Sequence, residues 1–204
     1  MKIKILCEGQ TEEGLRTLLG KAVAVPGCGL HIKTYEGVGA LLRELDDAVE
    51  SELQSGARAV FCVVDYHHYP LPQITRNLPL AQRLEAIKSD VLGQIDNSRC
   101  SALRCHVIVH EVETWILADE QVIAQRLKIK NIPGWQQPEN INDMKPPAKV
   151  LEELFRTRLK RRYDKYKDGV DLLQKVDWQK VYAKCPTFKQ LVDDLRNCCK
   201  QQNP

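Results

Sequence analysis

Four carboxylates stand at or just beyond the ends of three apolar runs within the first 113 residues. Glu8 follows the run at 3–7, Asp65 the run at 59–64, and Glu111 and Glu113 the run at 105–109. If these runs are strands of one parallel sheet, their ends emerge on one edge and the carboxylates converge there. Converging carboxylates want a cation. Hard oxygen donors suit Mg²⁺ or Mn²⁺, held by one or two carboxylates, water and a substrate phosphate. Such an ion activates water and offsets charge in phosphoryl transfer. The plainer reading is that strand ends of any α/β protein are polar, that Glu12 and Glu13 favour the positive end of a first helix, and that Glu113 is solvated.

The elements that must position these groups show as periodicity. The runs at 3–7, 30–35, 59–64 and 105–109 predict strands; the one at 59–64, Ala-Val-Phe-Cys-Val-Val, is apolar on both faces and so reads as a central strand. Between them, Leu15, Leu18, Leu19 and Val23, then Leu41, Leu42, Leu45, Ala48 and Val49, then Leu84, Ile87, Val91 and Leu92 fall at helical spacing, the third helix running over about 80–95. A further helix continues from Val112 to Leu117. This alternation predicts an α/β fold: a mainly parallel, Rossmann-like sheet with helices on both faces. Prolines at 133, 138, 146 and 147 mark a loop, and beyond Lys149 only helical spacing remains. The expected division is a core over 1–128 and a loop plus helical C-terminal subdomain over 129–204, packed on the core.

The chain has 204 residues, 43% hydrophobic and 28% charged, enough to bury a sizeable core. A formal net charge of +3 neither demands nor excludes a nucleic-acid partner. Eight cysteines occur without a CxxC pair, a leader or an apolar run of membrane-spanning length. The expectation is a cytoplasmic protein with reduced thiols, no structural zinc and no membrane association. A serine-hydrolase elbow and a phosphate-cradling glycine loop are both missing: Gly27-Cys28-Gly29 and Gly37-Val38-Gly39 lack the following lysine or third glycine.

Several other side chains are candidates. His67 or His68 would serve as a metal ligand or as a base near pH 7, or form an exposed loop pair. His110 would orient Glu111 from behind. His31 and His106, inside strands, read as structural. Tyr66 and Tyr69 would stack on a base or pack across the loop mouth. The basic run Arg156, Arg158, Lys160, Arg161, Arg162, Lys165 and Lys167 would track a phosphate backbone through Arg158, Arg161 and Arg162, or form a solvated helix end.

The segment Cys7-Glu8-Gly9-Gln10-Thr11-Glu12-Glu13 resembles the opening motif of Toprim-type domains, and Asp65-Tyr66-His67 stands where those domains carry Asp-x-Asp. The stretch from His110 to Asp119, Ile141-Asn142-Asp143 with Pro147-Ala148-Lys149, and Cys185-Pro186-Thr187-Phe188 together resemble an uncharacterised bacterial Toprim-like family. The resemblance implies a metal-dependent nuclease core similar to the Toprim half of the overcoming-lysogenization-defect nucleases, working with a partner ATPase in anti-phage defence. On that likeness Glu8 matches the Toprim glutamate and Asp65 the first aspartate. His67 replaces the second, an imidazole that suits Mn²⁺ better than Mg²⁺. Glu111 and Glu113 would supply the missing carboxylate, and Lys149 would match a lysine that steadies transition-state charge. The alternative is a non-catalytic module that binds a partner protein or nucleic acid.

Overall fold

The computed structural model describes residues 1–9, 14–67, 69–70, 72, 77–140 and 145–201. Expectations resting on 10–13, on His68 and on 141–143 lie outside the described residues. Four strands, β1 (Lys2–Glu8), β2 (Gly29–Tyr35), β3 (Ala57–Asp65) and β4 (Leu103–Ile108), form one sheet in the order β2-β1-β3-β4, every neighbouring pair parallel. The helices α1 (Leu15–Val23), α2 (Val38–Gln54) and α3 (Leu80–Leu92) connect them. The Rossmann-like α/β arrangement is therefore the one the alternation predicts.

Side chains that alternate along a strand feed two cores. Ile3, Ile5 and Cys7 of β1 with Phe61 and Val63 of β3 join Leu15, Leu18 and Leu19 of α1 on one face. Leu6, Val60, Cys62 and Val64 join Leu41, Leu45 and Val49 of α2 and Ile87 and Val91 of α3 on the other. Burial on both sides explains why β1 and β3 read as nearly continuous apolar runs. Helix α3 ends at Leu92 rather than near 95. The chain leaves β1 toward β2 and then crosses back to β3 on the opposite side, so the topological switch point lies between the ends of β1 and β3.

The rest of the chain is α4 (Glu113–Leu117), α5 (Glu120–Leu127), α6 (Pro147–Leu159), a π-helical turn (Lys165–Gly169), α7 (Val170–Lys175), α8 (Trp178–Lys184) and α9 (Pro186–Lys200). Leu172, Leu173, Val181, Phe188, Leu191 and Leu195 extend the core beneath α1. The Cys185-Pro186-Thr187-Phe188 motif proves architectural. Pro186 opens α9, the Thr187 N–H and hydroxyl donate to the buried Glu139 carboxylate at 3.1 and 2.5 Å, and Phe188 packs edge-on against Trp115.

One expectation is corrected. Cys28 and Cys199 form a disulfide, joining the residue before β2 to the last turn of α9, while the other six cysteines remain thiols. The pair is 171 residues apart in sequence, so no local spacing announces it. Among the described residues no helix is long and apolar enough to cross a membrane.

Candidate functional site

The carboxyl edge of the sheet gathers the predicted acids. Glu8 ends β1 and is buried; Gly9 follows at φ 78, a conformation that suits glycine, and lets the chain turn away. The Asp65 N–H donates to Glu8 Oε1 at 2.7 Å, and the Val38 N–H at the start of α2 also favours the charged carboxylate. Burial outweighs both and pushes the Glu8 pKa above its ordinary value. Asp65 is buried as well. Beyond the strands the β3–β4 pairing continues: the Tyr66 N–H donates to the Ile108 carbonyl and the His67 N–H to the His110 carbonyl, each at 2.9 Å. His67 is exposed, whereas His110 is buried and takes φ 65 as the chain turns from β4 toward α4. Tyr69 packs rather than stacks, being buried with its hydroxyl bonded to Asp90.

Glu111 and Glu113 are each 2% exposed, so Glu113 is not the solvated residue of the plainer reading. Glu111 Oε1 accepts from the Ala148 N–H at 2.6 Å, and its Oε2 accepts from Lys165 Nζ at 2.7 Å. Glu113 Oε1 lies 3.8 Å from the same ammonium and accepts from the Tyr163 hydroxyl at 3.4 Å. Burial, reinforced by the Glu111 charge and opposed by Lys165, pushes the Glu113 carboxyl up to about 7. Burial by itself would lower the Lys165 pKa, but the Glu113 and Glu111 charges outweigh it, Asp65 adds to them, and the ammonium is held above its ordinary value.

Sequence reasoning placed Lys165 only in the basic run and missed it as part of the acidic edge. No periodicity marks it, and its partner is 54 residues away. Its position comes from the π-helical turn, which Asp168 anchors. That carboxylate, 2% exposed, accepts two bonds from Arg161 at 2.6 and 2.7 Å, one from Arg126 at 2.7 Å and one from the Asp164 N–H at 3.0 Å. Burial would raise its pKa, yet these donors hold it down at about 2. Arg161 is therefore held in an ion pair with Asp168, while its side chain stays 42% exposed. Arg158 and Arg162 are exposed as well. Lys149 is exposed in the first turn of α6. Its neighbour Ala148 bonds Glu111, and the lysine that reaches that carboxylate is Lys165. Lys149 instead lines a cleft of about 380 Å³ with Glu152, Glu153, Arg156, Arg162 and Tyr163.

A family model described as a domain of unknown function, DUF4276, matches residues 7–196. The chain belongs to the DUF4276 family. No curated protein and no solved structure matches it. The matched span takes in the whole acidic edge of this DUF4276 chain, from Glu8 to Lys165.

The donor chemistry of that edge suits a hard divalent cation, since Glu8, Asp65, Glu111 and Glu113 offer only carboxylate oxygens. Among the described residues, no three His, Cys, Asp or Glu side chains are gathered as a ready-made metal cage. Mg²⁺ does not require one, because it keeps several waters and binds through one or two carboxylates plus phosphate. Glu8 and Asp65 fit that sparser pattern. Glu111 is satisfied by Ala148 and Lys165.

Proposed function

We propose that this DUF4276 protein is a Mg²⁺- or Mn²⁺-dependent phosphodiesterase of Toprim type that cleaves nucleic acid. The observation that carries the reading is the Asp65 N–H bond to Glu8 across the switch point, where open α/β sheets bind their ligands. Glu8 and Asp65 would hold the ion, Glu111 and Glu113 would complete its charge balance, and His67 would be ligand or base. The bound ion supplies an activated water and offsets charge on phosphoryl oxygens. Glu113, with its carboxyl near neutrality, holds or releases a proton at working pH while Tyr163 faces its Oε1. Lys149, Arg156 and Arg162 in the adjoining cleft, with Arg158 beyond it, would steer the phosphate backbone. The resemblance to the overcoming-lysogenization-defect nucleases supports a partner ATPase and a role in anti-phage defence.

The test is cleavage of labelled DNA and RNA with Mn²⁺ or Mg²⁺ by the wild type and by Glu8→Gln and Asp65→Asn. Turnover that depends on the metal and vanishes in both variants supports the reading; variants with full activity sink it. One observation favours a second reading, a non-catalytic module that binds a partner protein or nucleic acid: Lys165 already neutralises part of the acidic edge. Such a module forms a stable complex and shows no metal-dependent turnover.

A further inference from the structure

We infer that Lys165 is a tethered competitor for the divalent cation: its ammonium holds the place beside Glu111 and Glu113 in the metal-free protein and leaves when the ion binds. The inference rests on the metal-site reading and adds a regulatory residue to it. Two carboxylates at 2% exposure, lying close together, are costly without a counter-charge. Lys165 supplies one positive charge against both, through one short contact of 2.7 Å and one long contact of 3.8 Å. A divalent ion supplies two.

The lysine is built to exchange. Its side chain is 47% exposed, so it closes the buried acids from the solvent side and has an open path away from them. A lysine ammonium is a point charge on a flexible stem, without the fixed fork of an arginine. The backbone beneath it is pinned, because Asp168 in the same turn is held by Arg161 and Arg126. Release therefore asks for a swing of one side chain and no refolding of the turn. Metal affinity is then set partly by the lysine that must be displaced, which keeps the site closed at low divalent concentration.

The test is calorimetric titration of the metal-free protein with Mn²⁺, comparing wild type with Lys165→Met and Lys165→Arg. Removing the competitor tightens Mn²⁺ binding by tenfold or more in Lys165→Met, and Lys165→Arg binds no tighter than wild type. Equal or weaker binding by a folded Lys165→Met protein overturns the inference and leaves the metal site standing. Absence of Mn²⁺ binding in both wild type and Lys165→Met overturns the metal site and the inference together. Should Lys165→Met fail to fold, the Lys165 side-chain resonances of the wild type, assigned through Lys165→Arg, decide the matter during titration with Mg²⁺. They shift toward solvent-lysine values as the site fills, and signals that stay fixed through saturation rule displacement out.

Discussion

The main-chain N–H of Asp65 donates to the carboxylate of Glu8 at 2.7 Å, joining the ends of the two central strands where the winding of the sheet reverses. Glu8 is thus a structural acceptor and, in the proposed function, a metal ligand, and two substitutions separate these roles. Glu8→Gln keeps an acceptor oxygen and loses the charge, so stability stays close to wild type while Mn²⁺ binding falls by at least tenfold. Glu8→Ala leaves a buried N–H unsatisfied and costs about 1–3 kcal/mol. Denaturant unfolding beside calorimetry resolves the two effects.

The basic run divides by partner. If Arg158 and Arg162 contact phosphate as proposed, Arg162→Ala and Arg158→Ala each lower the slope of log K against log salt for duplex DNA by about one. Arg161→Ala leaves that slope unchanged and instead destabilises the fold by about 1–3 kcal/mol, because Asp168 loses its two-pronged partner. Binding isotherms at several salt concentrations, with urea unfolding of the same proteins, check both outcomes.

His106 carries an acid-sensitive part of the stability. It is buried in β4, stacked on Phe61, with Nε2 3.2 Å from Asp194. Burial, aided by the Lys88 and Arg104 charges, lowers its pKa from 6.5 to about 4, outweighing an Asp194 carboxylate that itself reaches water. The folded state prefers the neutral ring, so the unfolded chain binds the extra proton between those values. The contribution is complete above pH 6.5 and is lost as pH falls toward 4, amounting to roughly 3 kcal/mol. Urea midpoints measured from pH 7 to pH 4 fall more steeply for wild type than for His106→Gln.

The Cys28–Cys199 bond closes most of the chain into one loop. Cys28→Ser lowers stability by about 2–4 kcal/mol without reductant. With dithiothreitol the variant and wild type differ little. Thiol titration of the denatured wild type finds six thiols before reduction and eight after, and eight beforehand would contradict the bond.

Residue order alone reveals the alternating elements and the placement of Glu8, Asp65, Glu111 and Glu113 at the carboxyl ends of the strands. Both follow from local rules: periodicity names the strands, and a parallel sheet puts their carboxyl ends on one edge. Tertiary structure alone decides the charge balance of that edge. The 54-residue span from Glu111 to Lys165 is bridged only once α6 and the π-helical turn have packed, and nothing in the basic run distinguishes Lys165 from its neighbours beforehand. The same holds for Arg161, which reads as free charge until Asp168 is buried against it, and for Cys28 and Cys199, whose meeting requires the last turn of α9 to reach the residue before β2. Local patterns record which face a residue occupies; long-range ion pairs and disulfides depend on which faces meet.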